Sequence, residues 1–475
     1  MQAKPLILFV LAGLALFGNT SGQEKTAKKQ SLQVEARRRI SRGGTITYLP
    51  YEYFDTRTVQ LLPDFKSGSA STPTGKYGGW KQQRTTATGF FYVKKIGDRW
   101  WAIDPEGYYY FNVALNSISR GKSERNELAL KNKFGTPENW ISQTIGMLQK
   151  NGFNCAGSWS DYKEIAEANK KADKPFAFTI NLNFMSSYGK ERGGTFQQPG
   201  HIGYPGDCIF VFDPEWEAFC DRHARQVANW KDDRALFGYF SDNEMPFRIK
   251  SLDNYLNLPG NDPGKSAAEK WMKEKGITRE QITDIHRGEF LALVADRYFS
   301  AVSRALKKYD PNHMYIGARF YSDEKNREAF MRTAGKYLDI ISCNYYNKWT
   351  PDSTDMANWT NWSGKPFIVT EYYTKGEDSE MPNQSGAGWI VKTQRDRGLF
   401  YQNYNLALLE SKNCVGWHYF KYQDNDPTAK GVDPSNTDSN KGIVNNDYEV
   451  WTPMMELMKE LNQQVYQIIR YFDRK

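Results

Sequence analysis

The chain has 475 residues, of which 25% are charged and 15% are aromatic. This composition is typical of a globular protein with enough residues to bury the core of one barrel-sized domain. Most of the net charge of +8 comes from a basic segment between residues 24 and 42, and the rest of the chain is close to neutral. Such a local excess is typical of a solvated arm, so we expect no nucleic-acid partner.

The N-terminal segment combines a positive charge at Lys4 with an apolar run from Leu6 to about Gly18, followed by small residues. This order predicts a secretory signal peptide over residues 1–22, because the run is short for a membrane span. The segment contains no Cys, so a lipid anchor is not expected. No later stretch is apolar for long enough to cross a membrane. We therefore expect a secreted or periplasmic protein without a membrane domain, and its oligomeric state stays open.

The next two segments differ in their pattern. Residues 23–87 lack a clear period and carry clusters of Ser, Gly, Thr and Pro, which predicts a short irregular N-terminal arm packed on the main domain. The segment FFYVKKIGDRWWAIDPEGYYYF has turn signals at Gly97-Asp98 and at Pro105-Glu106-Gly107. It predicts two or three short strands that form a β-hairpin cover at the bottom of a barrel.

From this point the chain alternates between strand-like and helix-like segments. Eight strands are separated by seven helical segments, and a terminal amphipathic helix supplies the eighth; the predicted strands are residues 108–118, 153–160, 176–184, 235–244, 314–322, 338–347, 366–374 and 413–426. Alternation of this kind predicts a parallel sheet, and eight units fit a (β/α)8 barrel over residues 88–475. A doubly wound open sheet is the alternative, but no Gly-rich phosphate loop follows any strand.

The histidines and cysteines give no sign of a metal site. The five His are scattered, without the spacing that zinc ligands show, and the acidic-amide loop after the eighth strand does not match a calcium-binding EF-hand. We therefore expect no metal and no cofactor. Cys155, Cys343 and Cys414 lie in apolar runs, where a Cys usually acts as a small buried side chain. Whether Cys208 and Cys220 form a disulfide stays open.

Polar and aromatic side chains occur at the ends of all eight predicted strands, where barrel enzymes place their chemistry. Besides the carboxylates, the candidate substrate contacts are Asn116, Trp159, Asn183, Asn243, Arg319, Tyr345, Tyr346 and Trp417. For Arg319 and Asn116, contacts to sugar hydroxyl or sulfate groups compete with plain hydrogen bonding at the barrel end. Trp417 is placed to stack on the sugar at the cleavage point, and Trp159 on a neighbouring one.

Two carboxylates stand out at these strand ends. Glu244 ends the fourth strand and Glu371 ends the seventh. Across a barrel mouth, two carboxyl groups roughly 5–5.5 Å apart suit a double displacement at a sugar anomeric carbon, with one protonated and the other ionised. A single Glu at a strand end is more often a salt-bridge partner, but the pair with Asn243 before Glu244 favours catalysis. For Asp242, beside them, we expect a structural or positioning role.

Several segments carry a resemblance to a known family. GDRWWAIDPEGYYYFNVALNSI, GFNCAGSWS, GYFSDNEMPF, SGAGWIVKTQRDRGLFYQNY and VGWHYFKYQDNDP resemble the β-agarases, which belong to clan A of the retaining (β/α)8 glycoside hydrolases. The resemblance implies hydrolysis of β-1,4 galactosyl bonds in agar-type galactans with retention of configuration. It implies that Glu244 is the acid/base, Glu371 the nucleophile and Asn243 a substrate contact. Clan members often place a Tyr beside the nucleophile, and Tyr345 and Tyr346 are both candidates.

The expected function is thus that of a secreted retaining β-glycosidase acting on an agar-like, possibly sulfated, galactan. Agarases usually carry a substantial β-rich domain ahead of the barrel, and the shorter segment here leaves the specificity open. A β-galactosidase or a β-glucanase of the same clan would share both glutamates. A non-catalytic glycan-binding barrel is the alternative from another class, but a binding protein needs neither Glu244 nor Glu371.

Overall fold

The computed structural model describes residues 32–42, 45–66, 68, 72–193 and 203–475. The expected signal peptide lies outside these residues. None of the helices in these ranges combines the length and apolar character that a membrane crossing requires. The strands, in chain order, are β1 (Leu32–Arg42), β2 (Thr45–Tyr48), β3 (Glu52–Thr56), β4 (Trp80–Arg84), β5 (Tyr92–Ile96), β6 (Arg99–Ile103), β7 (Tyr108–Tyr110), β8 (Asn112–Leu115), β9 (Cys155–Ala156), β10 (Ala177–Asn181), β11 (Leu236–Phe240), β12 (Met314–Tyr315), β13 (Ile341–Asn344), β14 (Phe367–Glu371), β15 (Thr374–Gly376), β16 (Trp389–Val391) and β17 (Cys414–Tyr419).

Helices alternate with the central strands, and local sequence sets several of their ends. They are α1 (Glu124–Phe134), α2 (Pro137–Lys150), α3 (Tyr162–Asn169), α4 (Phe184–Arg192), α5 (Trp216–Ala224), α6 (Ser251–Leu256), α7 (Pro263–Lys275), α8 (Asp284–Tyr309), α9 (Glu328–Gly335), α10 (Ser353–Ser363), α11 (Gln394–Glu410), α12 (Thr452–Asn462) and α13 (Val465–Asp473). Ser123, Thr283 and Thr393 begin α1, α8 and α11 with reciprocal capping boxes, which satisfy backbone N–H groups that the helix itself leaves unpaired. Gly276 follows α7 with a φ of 67°, a left-handed backbone that suits Gly.

Eight parallel strands form one sheet, in the order β12-β11-β10-β9-β8-β17-β14-β13. Strands such as β11 and β17 are buried at every residue, as expected where helices cover one face and side chains fill the other. Close strand approach explains two glycines. A Cβ on Gly238 would lie 2.7 Å from the carbonyl oxygen of Met314, and one on Gly416 would lie 2.5 Å from that of Asn112. The predicted alternation of parallel strands and helices is confirmed.

The sheet is curled, so that its two outer strands approach each other. Beyond β12, Phe320 forms an isolated parallel bridge with Cys343 of β13. The N–H of Phe320 donates to the carbonyl oxygen of Ser342 at 2.8 Å, and the N–H of Asn344 donates to that of Phe320 at 2.8 Å. The molecule is therefore a mixed α/β fold built on a curled sheet of eight parallel strands.

The N-terminal arm, expected to be irregular, contains three strands over residues 32–56, whereas residues 57–66 and 72–79 have little regular structure. β1 pairs antiparallel with β2, β3 and β16, and β16 also pairs with β15. Val34 and Ala36, two residues apart on β1, are buried, as the alternation of a half-buried strand requires. The pairing of Ala36 with Val391 joins segments from opposite ends of the chain, which local sequence reasoning does not detect.

The predicted hairpin cover is confirmed as a four-stranded antiparallel sheet, β4-β7-β6-β5. Its aromatic side chains pack against the start of β11, where the rings of Phe91 and Tyr110 lie 5.4 and 6.0 Å from that of Phe237. Trp80 stacks on Tyr466 of α13 at 5.5 Å. The cover therefore lies at the N-terminal end of the parallel strands, opposite their polar ends.

All five cysteines are buried free thiols, so Cys208 and Cys220 do not form a disulfide in this structure. Burial raises the pKa of both thiols well above the ordinary value, which makes them weak nucleophiles. Across the described ranges, no group of three or more His, Cys, Asp or Glu side chains is arranged to hold a metal ion.

Candidate active site

A cavity of about 580 Å³ lies at the C-terminal ends of the parallel strands. The segment at the end of each parallel strand contributes at least one residue to its lining; in chain order these include Ser117, Trp159, Asn183, Glu244, Tyr321, Tyr346, Glu371 and Phe420. The structure thus brings both predicted catalytic carboxylates into one cavity.

Several of the residues just beyond the strand ends have a left-handed backbone. The φ angles are 65° at Trp159, 57° at Asn183, 51° at Glu244 and 54° at Arg319. A side chain with this backbone costs roughly 1–3 kcal/mol, and such residues concentrate at functional sites. Here the four positions coincide with candidate site residues, which supports a functional reason for the strain.

Glu371, the last residue of β14, is buried and accepts hydrogen bonds on both carboxylate oxygens. The hydroxyl of Tyr346 donates to Oε2 at 2.6 Å, and the guanidinium of Arg319 donates to Oε1. Burial raises the pKa of Glu371, whereas the charge of Arg319 lowers it, the charge of Glu244 raises it and the Tyr346 hydrogen bond lowers it. Since each oxygen accepts a hydrogen bond, this arrangement fits the ionised form.

Arg319 joins three strand ends. Its guanidinium donates to Oδ1 of Asn243 at 2.8 Å, to the hydroxyl of Ser158 and to Glu371. It is fully buried, and its charge lies 5.3 Å from the ring centre of Phe240. A buried cation needs such a partner set to offset the loss of water. Arg319 therefore holds Asn243 and Glu371 in a fixed relation.

Glu244 is held by an amide network. Nδ2 of Asn344 donates to Oε1 of Glu244 at 2.8 Å, and Oδ1 of Asn344 accepts from the hydroxyl of Thr370 at 2.8 Å, which fixes the orientation of the amide. The backbone N–H of Glu244 donates to the carbonyl oxygen of Ala318 at 3.1 Å. Because Oδ1 of Asn243 is bound to Arg319, the amide nitrogen of Asn243 is the group left for a ligand.

The structure shows what Asp242 does. Its carboxylate accepts from the backbone N–H groups of Met185 and Ser186 at 2.8 and 3.2 Å, in the first turn of α4, and from the hydroxyl of Tyr298 at 2.5 Å. Burial raises its pKa to about 6. Asp242 therefore fixes the start of α4 against the end of β11, which is the structural role expected for it.

Two aromatic candidates lie outside the cavity. The hydroxyl of Tyr345 donates to Asp355 at 2.5 Å, and only its backbone N–H reaches Glu371, at the carbonyl oxygen. Of the two neighbours, Tyr346 is therefore the one whose hydroxyl contacts the Glu371 carboxylate. Trp417 is fully buried, and its Nε1 donates to the hydroxyl of Tyr401 on α11 at 2.8 Å. Side chains alternate along β17, and the register turns Trp417 toward the helix layer. The prediction that it stacks on a sugar is therefore wrong.

The remaining candidates divide between the cavity and the barrel end. Trp159 and Asn183 line the cavity, and 39% of Trp159 is exposed, which leaves a ring face for a ligand. Asn116 is fully buried, and its Nδ2 donates to the carbonyl oxygen of Thr370 at 2.7 Å. Asn116 does not line the cavity and makes the plain barrel-end hydrogen bond that was its alternative role.

Sequence reasoning missed some residues of the site. Asn344, which contacts Glu244, ends β13 and carries the signal of a polar residue at a strand end. Tyr373, Lys421 and Lys441 line the same cavity but come after their strands have ended. Loop residues of this kind have no periodic pattern that could identify them.

The chain is similar to two curated proteins of Vibrio sp. (strain JT0107). Beta-agarase B is 25% identical over 88% of this chain and 53% of its own length. Beta-agarase A is 27% identical over 69% of this chain and 36% of its own length. The chain thus spans about half of the first relative and about a third of the second. No protein-family profile matches the chain.

Solved structures extend the comparison. The crystal structure of BpGH50 is 31% identical to this chain, with a TM-score of 0.82 over 93% of this chain and 96% of that one. A structure reported for an exo-beta-agarase has a TM-score of 0.69 at 22% identity, over 83% of this chain and 67% of that one. The first comparison covers nearly the whole of both chains, and the second shows the shared fold.

Proposed function

The chain belongs to glycoside hydrolase family 50, and we propose that it is a retaining hydrolase of β-galactosidic bonds in an agar-like galactan, including galactans with sulfate esters. The names of the two curated relatives support the substrate class. The observation that carries the proposal is the position of Glu244 and Glu371 in one cavity at the C-terminal ends of β11 and β14. Such strand ends are where enzymes of this architecture place their reactive groups.

In this mechanism Glu371 is the nucleophile. Its carboxylate attacks the anomeric carbon, and the bond to the leaving sugar oxygen breaks while Glu244 donates a proton to that oxygen. Water then attacks the same carbon while it gives a proton to Glu244, and the bond between that carbon and Glu371 breaks, which restores both groups and gives overall retention. The contacts of Glu371 support its role as nucleophile, because a cation and a hydroxyl donate to its carboxylate.

Five neighbouring residues support these steps. Arg319 and Tyr346 stabilise the ionised form of Glu371 before the attack. Asn243, oriented by Arg319, is placed to donate from its amide nitrogen to a sugar hydroxyl, a contact that strengthens in the transition state. Trp159 offers an exposed ring face to a sugar within the same cavity. Asn183 lines that cavity as a further polar contact.

We also infer that the parallel sheet closes into a (β/α)8 barrel and that residues 88–475 form the catalytic domain. Support for closure comes from the two hydrogen bonds that Phe320 makes with Ser342 and Asn344. The pairing of β1 with β16 supports an N-terminal region that packs on this domain. The proposal that residues 1–22 direct export of the protein rests on the apolar run in the sequence. Sequencing the N-terminus of protein recovered from the culture medium tests this proposal.

Assays of the wild type and Glu371→Ala test the catalytic proposal on oligosaccharides of agarose, porphyran, carrageenan and β-glucan. We expect the wild type to cleave agar-type galactans and Glu371→Ala to be inactive, with azide restoring turnover as a glycosyl azide of inverted configuration. Glu380→Gln is the matched control, because Glu380 lies exposed in the loop beyond β14 and does not line the cavity.

Other results of these assays would contradict the proposal. Turnover of β-glucan alone, or of simple β-galactosides alone, identifies the corresponding hydrolase and contradicts the galactan proposal. Binding of every glycan without turnover identifies a non-catalytic barrel. A wild type that releases a product of inverted configuration contradicts the double displacement.

A further inference from the structure

Positive charge is concentrated on one wall of the cavity. Lys421 and Lys441, from the segment that follows β17, both line it. Lys421 is partly buried, and its ammonium group makes no hydrogen bond and no ion pair within the described chain. Lys441 is 1% exposed and, among the described residues, donates to two neutral oxygens, the carbonyl of Ser435 at 2.5 Å and Oδ1 of Asn436 at 2.9 Å.

A third buried lysine lies close enough to act on Lys441. Lys375 on β15 is fully buried and donates to the backbone carbonyls of Asn383 and Ser385 at 3.2 and 3.1 Å. Burial, together with the charges of Lys375 and Lys421, lowers the pKa of Lys441 well below its ordinary value. Burial also lowers the pKa of Lys421, to about 8, so this group is still mainly charged at neutral pH.

The nearby acids do not neutralise these lysines. No carboxylate of the described residues lies within ion-pair distance of any of the three. Asp424, whose charge acts on Lys421, uses its own oxygens to accept from Asn440, the backbone N–H of Gly442 and the indole of Trp451. Buried charges in proteins are normally paired, so Lys421, which lines the cavity without an ion-pair partner, lacks an anion. An anion bound there would also favour the charged form of Lys441 beside it.

This wall lies close to the reacting carboxylate. The ammonium group of Lys441 lies 4.9 Å from the ring centre of Tyr373, and that ring lies 5.4 Å from the ring of Tyr346, which binds Glu371. The charge of Glu371 also acts on Lys441. An anion held here would therefore belong to a sugar near the cleavage point and not to a distant part of a polysaccharide.

We propose that Lys421 and Lys441 form an anion subsite that receives a sulfate ester or a carboxylate on the galactan beside the cleaved bond. This inference rests on the proposed function for its substrate class. An ammonium group binds such anions as a point charge with three donors, and exclusion of water strengthens the contact. The subsite makes charged galactans better substrates than neutral ones.

The test compares three oligosaccharides of equal length: a neutral agarose oligosaccharide, one with a single sulfate ester and one with a carboxylate. We expect wild-type kcat/KM to be on the order of tenfold higher for one of the charged substrates, and that substrate identifies the anion. Lys421→Gln removes this preference and Lys421→Arg retains it. Lys430→Gln, at an exposed lysine of the same loop outside the cavity lining, retains it as the matched control.

Calorimetry in a Glu244→Gln background separates this proposal from the proposed function. If no galactan is cleaved but charged oligosaccharides bind more weakly after Lys421→Gln, the subsite stands and the hydrolase proposal fails. If galactans are cleaved without any preference for charge, or with a preference that Lys421→Gln leaves intact, the anion subsite is overturned. Thermal unfolding of each variant shows that the comparison is made on folded protein.

Discussion

The hydroxyl of Tyr346 lies 2.6 Å from Oε2 of Glu371, whereas the hydroxyl of its neighbour Tyr345 points to Asp355. The side chains of these two adjacent tyrosines therefore lie in different parts of the molecule. Tyr346 lines the cavity and Tyr345 packs against Trp359 of α10 at 4.9 Å. The pair offers an internal comparison of a site residue with a structural one of the same type.

Tyr346→Phe removes a hydrogen bond to the ionised carboxylate of Glu371. Hydrogen bonds to charged groups contribute about 1.5–3 kcal/mol, so we expect kcat/KM to fall on the order of ten- to a hundredfold. Tyr345→Phe removes the bond to Asp355 and is expected to lower the melting temperature while kcat/KM stays within about twofold. Equal losses of kcat/KM in the two variants would contradict the assignment of Tyr346.

The pH dependence of activity reports on Glu371. Burial raises the pKa of this carboxyl above its ordinary value, so protonation removes the nucleophile at a pH above the usual Glu range. We expect the acid limb of the kcat/KM profile to lie above that range. Because the charge of Arg319 lowers the same pKa, Arg319→Gln moves the acid limb to higher pH.

Arg332→Gln is the control for this profile, since Arg332 is an exposed residue of α9 that pairs with Glu328. We expect its acid limb to coincide with that of the wild type. The contrary outcome is a kcat/KM profile of Arg319→Gln that falls in amplitude without moving along the pH axis. That result would mean that Arg319 positions Glu371 or Asn243 but does not stabilise the charge of Glu371.

Two tryptophans at strand ends separate a ligand contact from a core contact. Trp159→Ala removes an exposed ring from the cavity, and we expect about a tenfold loss of kcat/KM, mainly through KM, with little change in stability. Trp417→Ala empties a fully buried position and is expected to destabilise the fold by about 3–5 kcal/mol. Kinetics and denaturant unfolding of both variants check this division. A selective rise of KM in a stably folded Trp417 variant would contradict it.

The two tryptophans and the two glutamates show which features of the site can be predicted from sequence. Parallel strands and helices have periods that local sequence displays, and Glu244 and Glu371 are polar residues at the ends of apolar runs, so both were predictable. The direction of Trp417 depends on the register of β17 against β8 and β14, which no local pattern fixes. The pairing of β1 with β16 depends on segments far apart in the chain, and the local pattern suggested an irregular arm.

Asp242 provides a test through stability. The N–H groups of Met185 and Ser186 and the hydroxyl of Tyr298 converge on its buried carboxyl. Asp242→Asn retains one oxygen and replaces the other by an NH₂ group, which cannot accept a hydrogen bond from a backbone N–H. We expect a loss of about 1–3 kcal/mol in the free energy of unfolding at pH 8. Asp232→Asn, at an exposed position before β11, is the control and is expected to change little.

The direction in which the stability loss of Asp242→Asn changes with pH distinguishes the loss of a buried titrating carboxyl from a simple loss of packing. Burial raises the pKa of Asp242 to about 6 in the folded chain, against about 3.9 when unfolded. The folded state therefore binds the proton on Asp242 more tightly than the unfolded state does. The stabilisation that this proton gives the wild type is fully present below the unfolded pKa and is lost as the pH rises through 6. The deficit of Asp242→Asn relative to the wild type should thus grow by on the order of 1 kcal/mol from pH 8 to pH 5. A deficit that shrinks on acidification would mean that the folded chain prefers the carboxylate, with the donors of α4 outweighing burial.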